Sequence, residues 1–169
     1  MILTHDVILN EIAAGRLVID PFHPDQVGPA SIDLHLGDEI RVMEGGPAVI
    51  DLDDDADYRA VTQVRPLTQP YVLRPGETIH GITRERIRLP PDVAGWLEGR
   101  SRYARLGIMI HVTSGFVAPG VDNRQVLEMA NVAGRPLRIR AGTRLCQIVL
   151  QRAEGSAVYS GRFADQQRI

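Results

Sequence analysis

The chain has 169 residues, of which 44% are hydrophobic and 24% charged, with a formal net charge of −2. That length suits one domain, 1–169, with room for a hydrophobic core. So small a charge supplies no field to draw a nucleic acid or an anionic membrane, and no apolar run approaches the roughly 20 residues that span a bilayer. The N-terminal MILTHDVILNEI lacks a basic segment ahead of an apolar one, so no secretory signal is read there. The single cysteine, Cys146, cannot form an internal disulfide, which suits a reducing cytoplasm. It lies in the apolar run Leu145–Leu150, where a buried inert thiol is expected. All 19 basic residues are arginine, a bias that genome composition and heat adaptation explain equally well.

Thr4 can cap a first helix, with Asp6 in its first turn, an apolar face of Val7, Ile8 and Ile12, and Gly15 as the stop. No other long helical pattern follows. Prolines then punctuate loops up to an alternating strand from Ser31 to Leu36, with Ile32, Leu34 and Leu36 on one face and Ser31, Asp33 and His35 on the other. The acidic run Asp51–Asp57 lacks the glycine and terminal glutamate of an EF-hand and reads as a solvated loop. From Tyr71 onward short apolar and β-branched segments alternate with Pro/Gly turns: YVL, RPGE, TIHGIT, LPPD, VAGWLEG, then NVAGRP, LRIR, AGT and RLCQIVLQR. Many short strands with closely spaced turns predict an all-β barrel or sandwich with one N-terminal helix. The last segment, 156–169, is polar; it reads either as a frayed tail or as a flap over a ligand.

A zinc deaminase needs His-x-Glu and Pro-Cys-x-x-Cys, and the chain has neither. His5, His23, His35, His80 and His111 show no metal-ligand spacing, and no GxxxxGK, GxGxxG or G-x-S-x-G occurs. What remains lies between Gly99 and Glu128. Glu128 sits inside the apolar run Val126-Leu127-Glu128-Met129, and a carboxylate in an apolar pocket can shuttle protons near neutrality. Ser101 and Arg105 stand on a glycine-bracketed turn that also holds Arg100 and Arg102. An Arg fork can orient a carboxylate, and clustered arginines can receive a polyphosphate. The residues alone leave open whether this is a site or a salt-bridged turn.

Six segments, in order, resemble the dCTP deaminase branch of the dUTPase superfamily over nearly the whole chain. GRLVIDPF (Gly15–Phe22) resembles the segment after the family's first helix, and PASIDLHLG (Pro29–Gly37) its first shared motif. EGRSRYARLG (Glu98–Gly107) resembles EGRSSLARLG, HVTSGFVAPG (His111–Gly120) resembles HVTAGxIDPG, and VLEMAN (Val126–Asn131) resembles the TLEL-x-N strand. Tyr159, Arg162 and Gln166 resemble the Tyr…Lys-Tyr-x-x-Gln tail.

The resemblance implies a distorted β-barrel of the dUTPase-like (β-clip) type. It implies hydrolytic deamination of dCTP to dUTP and ammonia in the cytoplasm, feeding dUMP and dTTP synthesis. The expected assembly is a homotrimer with inter-subunit active sites, with dTTP as feedback inhibitor. Neither nucleic acid nor membrane is expected as a partner. Magnesium would ride on the substrate triphosphate, with no zinc. Glu128 matches the catalytic glutamate, Ser101 and Arg105 the residues that position it and the water, and Ser114 a position whose backbone carbonyl holds the water. Val126 and Leu127 belong to the strand that reads the pyrimidine edge. Arg100 matches a triphosphate contact, and Arg102, Tyr103 and Ala104 on its turn are expected to bind substrate with it. Tyr159, Arg162 and Gln166 match the closing tail. His111 reads either as a switch to a dTTP-inhibited form or as a packed strand histidine. Trp96 reads as a core or subunit-interface residue, and Asp33 as structural.

Ala118 stands where the family's DPG has an aspartate that contacts the sugar 3′-hydroxyl. In dUTPases the equivalent aspartate also activates the water that cleaves the triphosphate, so its absence disfavours pyrophosphate release. Arg102 replaces the second Ser of RSSLAR, Val121 replaces an aromatic, and Asp122-Asn123 alter the GFxG turn. The rival readings are a bifunctional enzyme that continues to dUMP, a plain dUTPase, a nucleotide-binding relative without catalysis, and a deaminase of another nucleotide.

Overall fold

Alternation of buried and exposed side chains dominates the chain, and the structure, a computed structural model describing residues 1–47 and 49–169, resolves it into short strands. They are β1 (Val18–Asp20), β2 (Ile32–Leu34), β3 (Leu36–Met43), β4 (Thr62–Pro66), β5 (Tyr71–Leu73), β6 (Thr78–Arg88), β7 (Val93–Gly99), β8 (Ile108–Met109), β9 (Phe116–Val117), β10 (Asp122–Asn131), β11 (Leu137–Ile139) and β12 (Cys146–Arg152). The largest sheet runs β4-β3-β6-β10-β8, with β1 also on β6; a second runs β2-β12-β7-β9, and β11 pairs with β5. The architecture is mainly β, of dUTPase-like type, arranged as three sheets rather than one closed ring among the described residues. No described helix is long and apolar enough to cross a membrane.

The helix α1 (His5–Ala13) forms where the N-terminal pattern places it, ending ahead of Gly15, whose φ of 68° an L side chain would resist. Two details differ from expectation. Thr4 occupies the cap position without a side-chain hydrogen bond, and Val7 is exposed while Ile8 is fully buried. At 100° per residue, Val7 falls off the stripe that Ile8 and Ile12 share.

Ile32, Leu34 and Leu36 are all fully buried, as their alternation requires, but they belong to two strands in different sheets. The chain leaves β2, paired with β12, and enters β3, paired with β6, at His35. There the backbone N–H of His35 donates to a Glu85 carboxylate oxygen at 2.9 Å instead of to a neighbouring strand. Glu85 is buried and also accepts from Gln26 Nε2 at 3.1 Å and from the His35 ring at 2.5 Å. The guanidinium of Arg144 donates to His35 Nε2 at 3.1 Å, so Nδ1 carries the ring hydrogen toward Glu85. A buried carboxylate is tolerated here because every neighbour of it is a donor.

One buried apolar cluster, from Leu3 to Leu150, joins the two larger sheets. Cys146 lies within it, fully buried, and burial pushes its thiol up, away from the reactive thiolate. Ile148 faces Ile32 on one side and Leu97 on the other and is 0% exposed. Ile148→Ala is therefore expected to lower unfolding free energy by about 2–5 kcal/mol, read by denaturant titration.

Candidate functional site

The site starts from an irregularity in the ladder between β6 and β10. Val126, Leu127, Glu128, Met129 and Ala130 face Ile82, Gly81, His80, Ile79 and Thr78 in register, and the register shifts between Arg124 and Val126. Across the shift Gln125 alone stands against Thr83, Arg84 and Glu85, so the extra residues lie on β6, and the Gln125 backbone N–H goes to Thr83 Oγ1 at 2.9 Å rather than to a strand carbonyl. Such a bulge re-aims side chains. Beyond it, Leu127 and Met129 turn into the core at 0% exposure while Val126 and Glu128 face outward, joined by Gln125 and Asn123.

These side chains line a cleft of about 480 Å³, walled by Ser114, Phe116, Val117, Ala118 and Val121 and by Tyr58 and His80, and roofed by Tyr159, Phe163 and Gln166. Among the described lining residues Glu128 is the single carboxylate. No hydrogen bond reaches its side chain within the described chain. The contrast with Glu85 is chemical: one carboxylate is engaged by three donors, the other is open to the cleft. A half-buried carboxylate without a partner can accept a proton from a bound molecule and return it.

The roof is the polar C-terminal tail, docked although it forms no strand. Tyr159 N–H donates to the Pro119 carbonyl at 3.0 Å, Asn123 Nδ2 to the Phe163 carbonyl at 2.7 Å, and Gln166 Nε2 to the Arg124 carbonyl at 3.0 Å. Arg162 approaches Asp57 at 3.7 Å, and the Arg59 guanidinium beside Asp57 holds that carboxyl down to about 2. The tail crosses directly over Gly120, where an added Cβ would lie 2.7 Å from Val158 Cα and φ is 70°. Polar composition hid this docking, because the tail is held mainly by backbone carbonyls that any residue carries.

The structure brings Glu128, Ser114, Ala118, Val126, Tyr159 and Gln166 together in one cleft. Leu127 is in the same strand but its side chain lies in the core, leaving only its backbone to the cleft. The turn from Arg100 stands apart. In the short helix α2 (Ser101–Ala104) Ser101, Arg102 and Ala104 are exposed, as is Arg105 just after it, while Tyr103 packs on the core. Arg100 pairs with Asp33 at 3.1 Å and donates to the Arg144 carbonyl at 3.3 Å. Arg162 is exposed beside Asp57 rather than in the cleft. Residue patterns did not single out Tyr58, His80, Phe116, Gln125 or Phe163. Only β3–β6–β10 pairing and the tail's return place them here.

A second cavity of about 460 Å³ lies behind the β7–β9 pair, lined by Trp96, Glu98, Met109, Ile110, His111 and Val112 among others. Trp96 and Phe116, cross-strand partners with ring centroids 5.0 Å apart, form the wall between the two cavities. Trp96 is 46% exposed, so it is not a core residue of this chain. His111 has both ring nitrogens buried without a partner among the described residues.

This sheet arrangement is that of a dUTPase-like protein. The chain belongs to the dCTP deaminase-like family, whose model matches residues 2–153. It is 36% identical over 175 residues to an Acidothermus cellulolyticus protein named dCTP deaminase, dUMP-forming, with 98% of this chain and 91% of that one covered. A Rhodococcus opacus protein of the same name is 40% identical over 159 residues, covering 93% and 84%. Among solved structures, the 2′-deoxycytidine 5′-triphosphate deaminase from Agrobacterium tumefaciens superposes with a TM-score of 0.71 at 26% identity. That match covers 90% of this chain and 48% of the other, so this chain spans about half the solved one.

Two outcomes follow from the geometry. Gly120→Ala should strain the turn and collide with Val158, undocking the tail; limited proteolysis is expected to cut beyond Gly155 faster, with a stability loss of about 1 kcal/mol. Burial lowers both His80 and His111 from the ordinary 6.5. The unfolded chain therefore binds protons first, and stability present above about 6.5 is lost as pH falls through the lowered folded values. Melting temperature should drop from about pH 7.5 to about pH 5, and His111→Leu should flatten that drop.

Proposed function

We propose that the chain deaminates dCTP to dUTP and ammonia in the cytoplasm, feeding dUMP and dTTP synthesis. The observation that carries this reading is Glu128, an unpartnered carboxylate at the floor of a tail-roofed cleft in a dCTP deaminase-like chain. Glu128 takes a proton from water held by the Ser114 carbonyl. The resulting hydroxide adds to C4 of the cytosine ring as Glu128 passes that proton to N3; Glu128 then carries the new hydroxyl proton to the exocyclic nitrogen, which leaves as ammonia as the C4 carbonyl forms. One water is consumed and one ammonia released, with no metal in the chemical step; magnesium rides on the triphosphate.

Backbone groups of Val126 and Leu127 read the pyrimidine edge, Ala118 faces the sugar, and Tyr159, Arg162 and Gln166 close on the phosphates. Ser101 and Arg105 complete the site from a neighbouring subunit of a homotrimer, with Arg100, Arg102, Tyr103 and Ala104 on the same turn. Two observations support that assembly. The turn is exposed and does not line its own chain's cleft, and Trp96, Leu106, Met109, Val112 and Phe116 form exposed apolar surface beside it. dTTP is the proposed feedback inhibitor, acting through His111 behind the Trp96–Phe116 wall.

The relatives named dUMP-forming favour a second reading, in which triphosphate cleavage follows deamination. Against it stands the cleft itself: position 118 is alanine, and the described lining offers no second carboxylate to activate another water. Incubation with dCTP and Mg²⁺ separates the two. Ammonia without pyrophosphate is expected, and stoichiometric pyrophosphate would overturn the single-step reading. Glu128→Gln should reduce ammonia release by at least about 10²-fold with little change in nucleotide binding, and intact turnover in that variant would refute Glu128 as the proton shuttle.

A further inference from the structure

Strand register places Arg41, His80 and Glu128 in one row across β3, β6 and β10. Residues directly opposite in antiparallel strands point to the same face with Cβ atoms about 4.5–5.5 Å apart, so the imidazole stands between a guanidinium and a carboxylate. Tyr58 covers the row. Its ring meets His80 edge-on at 5.5 Å, and the Arg41 guanidinium lies over it at 5.5 Å. Arg41 donates to Thr62 Oγ1 at 3.1 Å, while its buried Nε–H has no acceptor among the described residues. His80 and Tyr58 both line the cleft beside Glu128. His35, by contrast, is engaged on both ring nitrogens, between Glu85 and Arg144. The His80 ring makes no hydrogen bond within the described chain, so its donor is available to the cleft.

We propose that His80 is the positioning residue of Glu128, offering a ring N–H to the carboxylate from between Arg41 and Tyr58. This rests on the deaminase reading and deepens it. Burial keeps His80 below its ordinary value; Glu128 opposes that shift and Arg41 reinforces it, and these with Tyr58 are the charged or titratable groups that face the ring. In the neutral ring one nitrogen donates toward Glu128 and the other can accept the unused Nε–H of Arg41. Protonation gives the ring two donors and a charge. That places a second cation beside Arg41 and holds Glu128 as an ion pair unable to take a proton from water. Acidification thus switches the row off through His80.

The coupling is testable without turnover. NMR titration of the His80 ring in the full chain should show its midpoint moving down in Glu128→Gln and up in Arg41→Gln. A midpoint unmoved by Glu128→Gln overturns the proposal. For catalysis, His80→Phe keeps an aromatic edge against Tyr58 but has no ring nitrogen. The expected result is a roughly tenfold lower kcat for ammonia release with KM within about twofold, an effect smaller than loss of a proton-transfer group itself. The acid limb of its kcat–pH profile should also become shallower, and His80→Gln, which keeps a donor, should recover most of the rate. An unchanged acid limb in His80→Phe, or a loss equal at every pH with a raised KM, overturns it. If the wild-type chain releases no ammonia from dCTP, the deaminase reading fails, and the ring titration still decides the His80–Glu128 coupling.

Discussion

The antiparallel ladder between β6 and β10 carries Glu128 opposite His80, and β6 bulges where Thr83, Arg84 and Glu85 stand against Gln125 alone. Both strands are long, at eleven and ten residues, and Ile79, Leu127 and Met129 beneath them are buried almost completely. A one-residue slip would exchange the faces, driving Glu128 into the core and Leu127 into the cleft. Burial of that apolar face is what prevents the slip. The position of the one open carboxylate is thus a by-product of hydrophobic register, and the cleft, its roof and its neighbours are arranged around it.

The fold treats Glu85 and Glu128 in opposite ways. Glu85 receives Gln26, the His35 backbone and the His35 ring, and through them it ties the β2–β3 crossing to Arg144 and Asp25. Glu128 receives nothing from the described chain. Half-buried in the cleft, Glu128 is left open to a bound molecule. That imbalance is the physical signature of a reactive group.

Much of the architecture was legible. The helix at the N-terminus and the buried alternation of Ile32, Leu34 and Leu36 follow from periodicity, and the strand around Val126 to Met129 from the family resemblance. Glu128 stood out because a charge inside an apolar run needs a reason. Less was legible where the chain uses backbone or distant pairing. The switch of sheets at His35 leaves no trace in the alternation, since both strands bury the same set of residues. The docked tail shows no core pattern because it is held through the carbonyls of Pro119, Arg124 and Phe163. His80 carries no local signal, for its meaning comes from β3 on one side and β10 on the other.

Local patterning therefore determined the strand-rich character of the chain, its single substantial helix and the oddness of Glu128, because period and burial act over a few residues. Tertiary structure alone decided what surrounds Glu128. Arg41, Tyr58 and His80 precede it by eighty-seven, seventy and forty-eight positions respectively, distances over which only sheet pairing brings side chains together. It also decided that Ser101 and Arg105 face outward instead of into their own chain's cleft, because the turn that carries them leaves β7 on the far side of the Trp96–Phe116 wall.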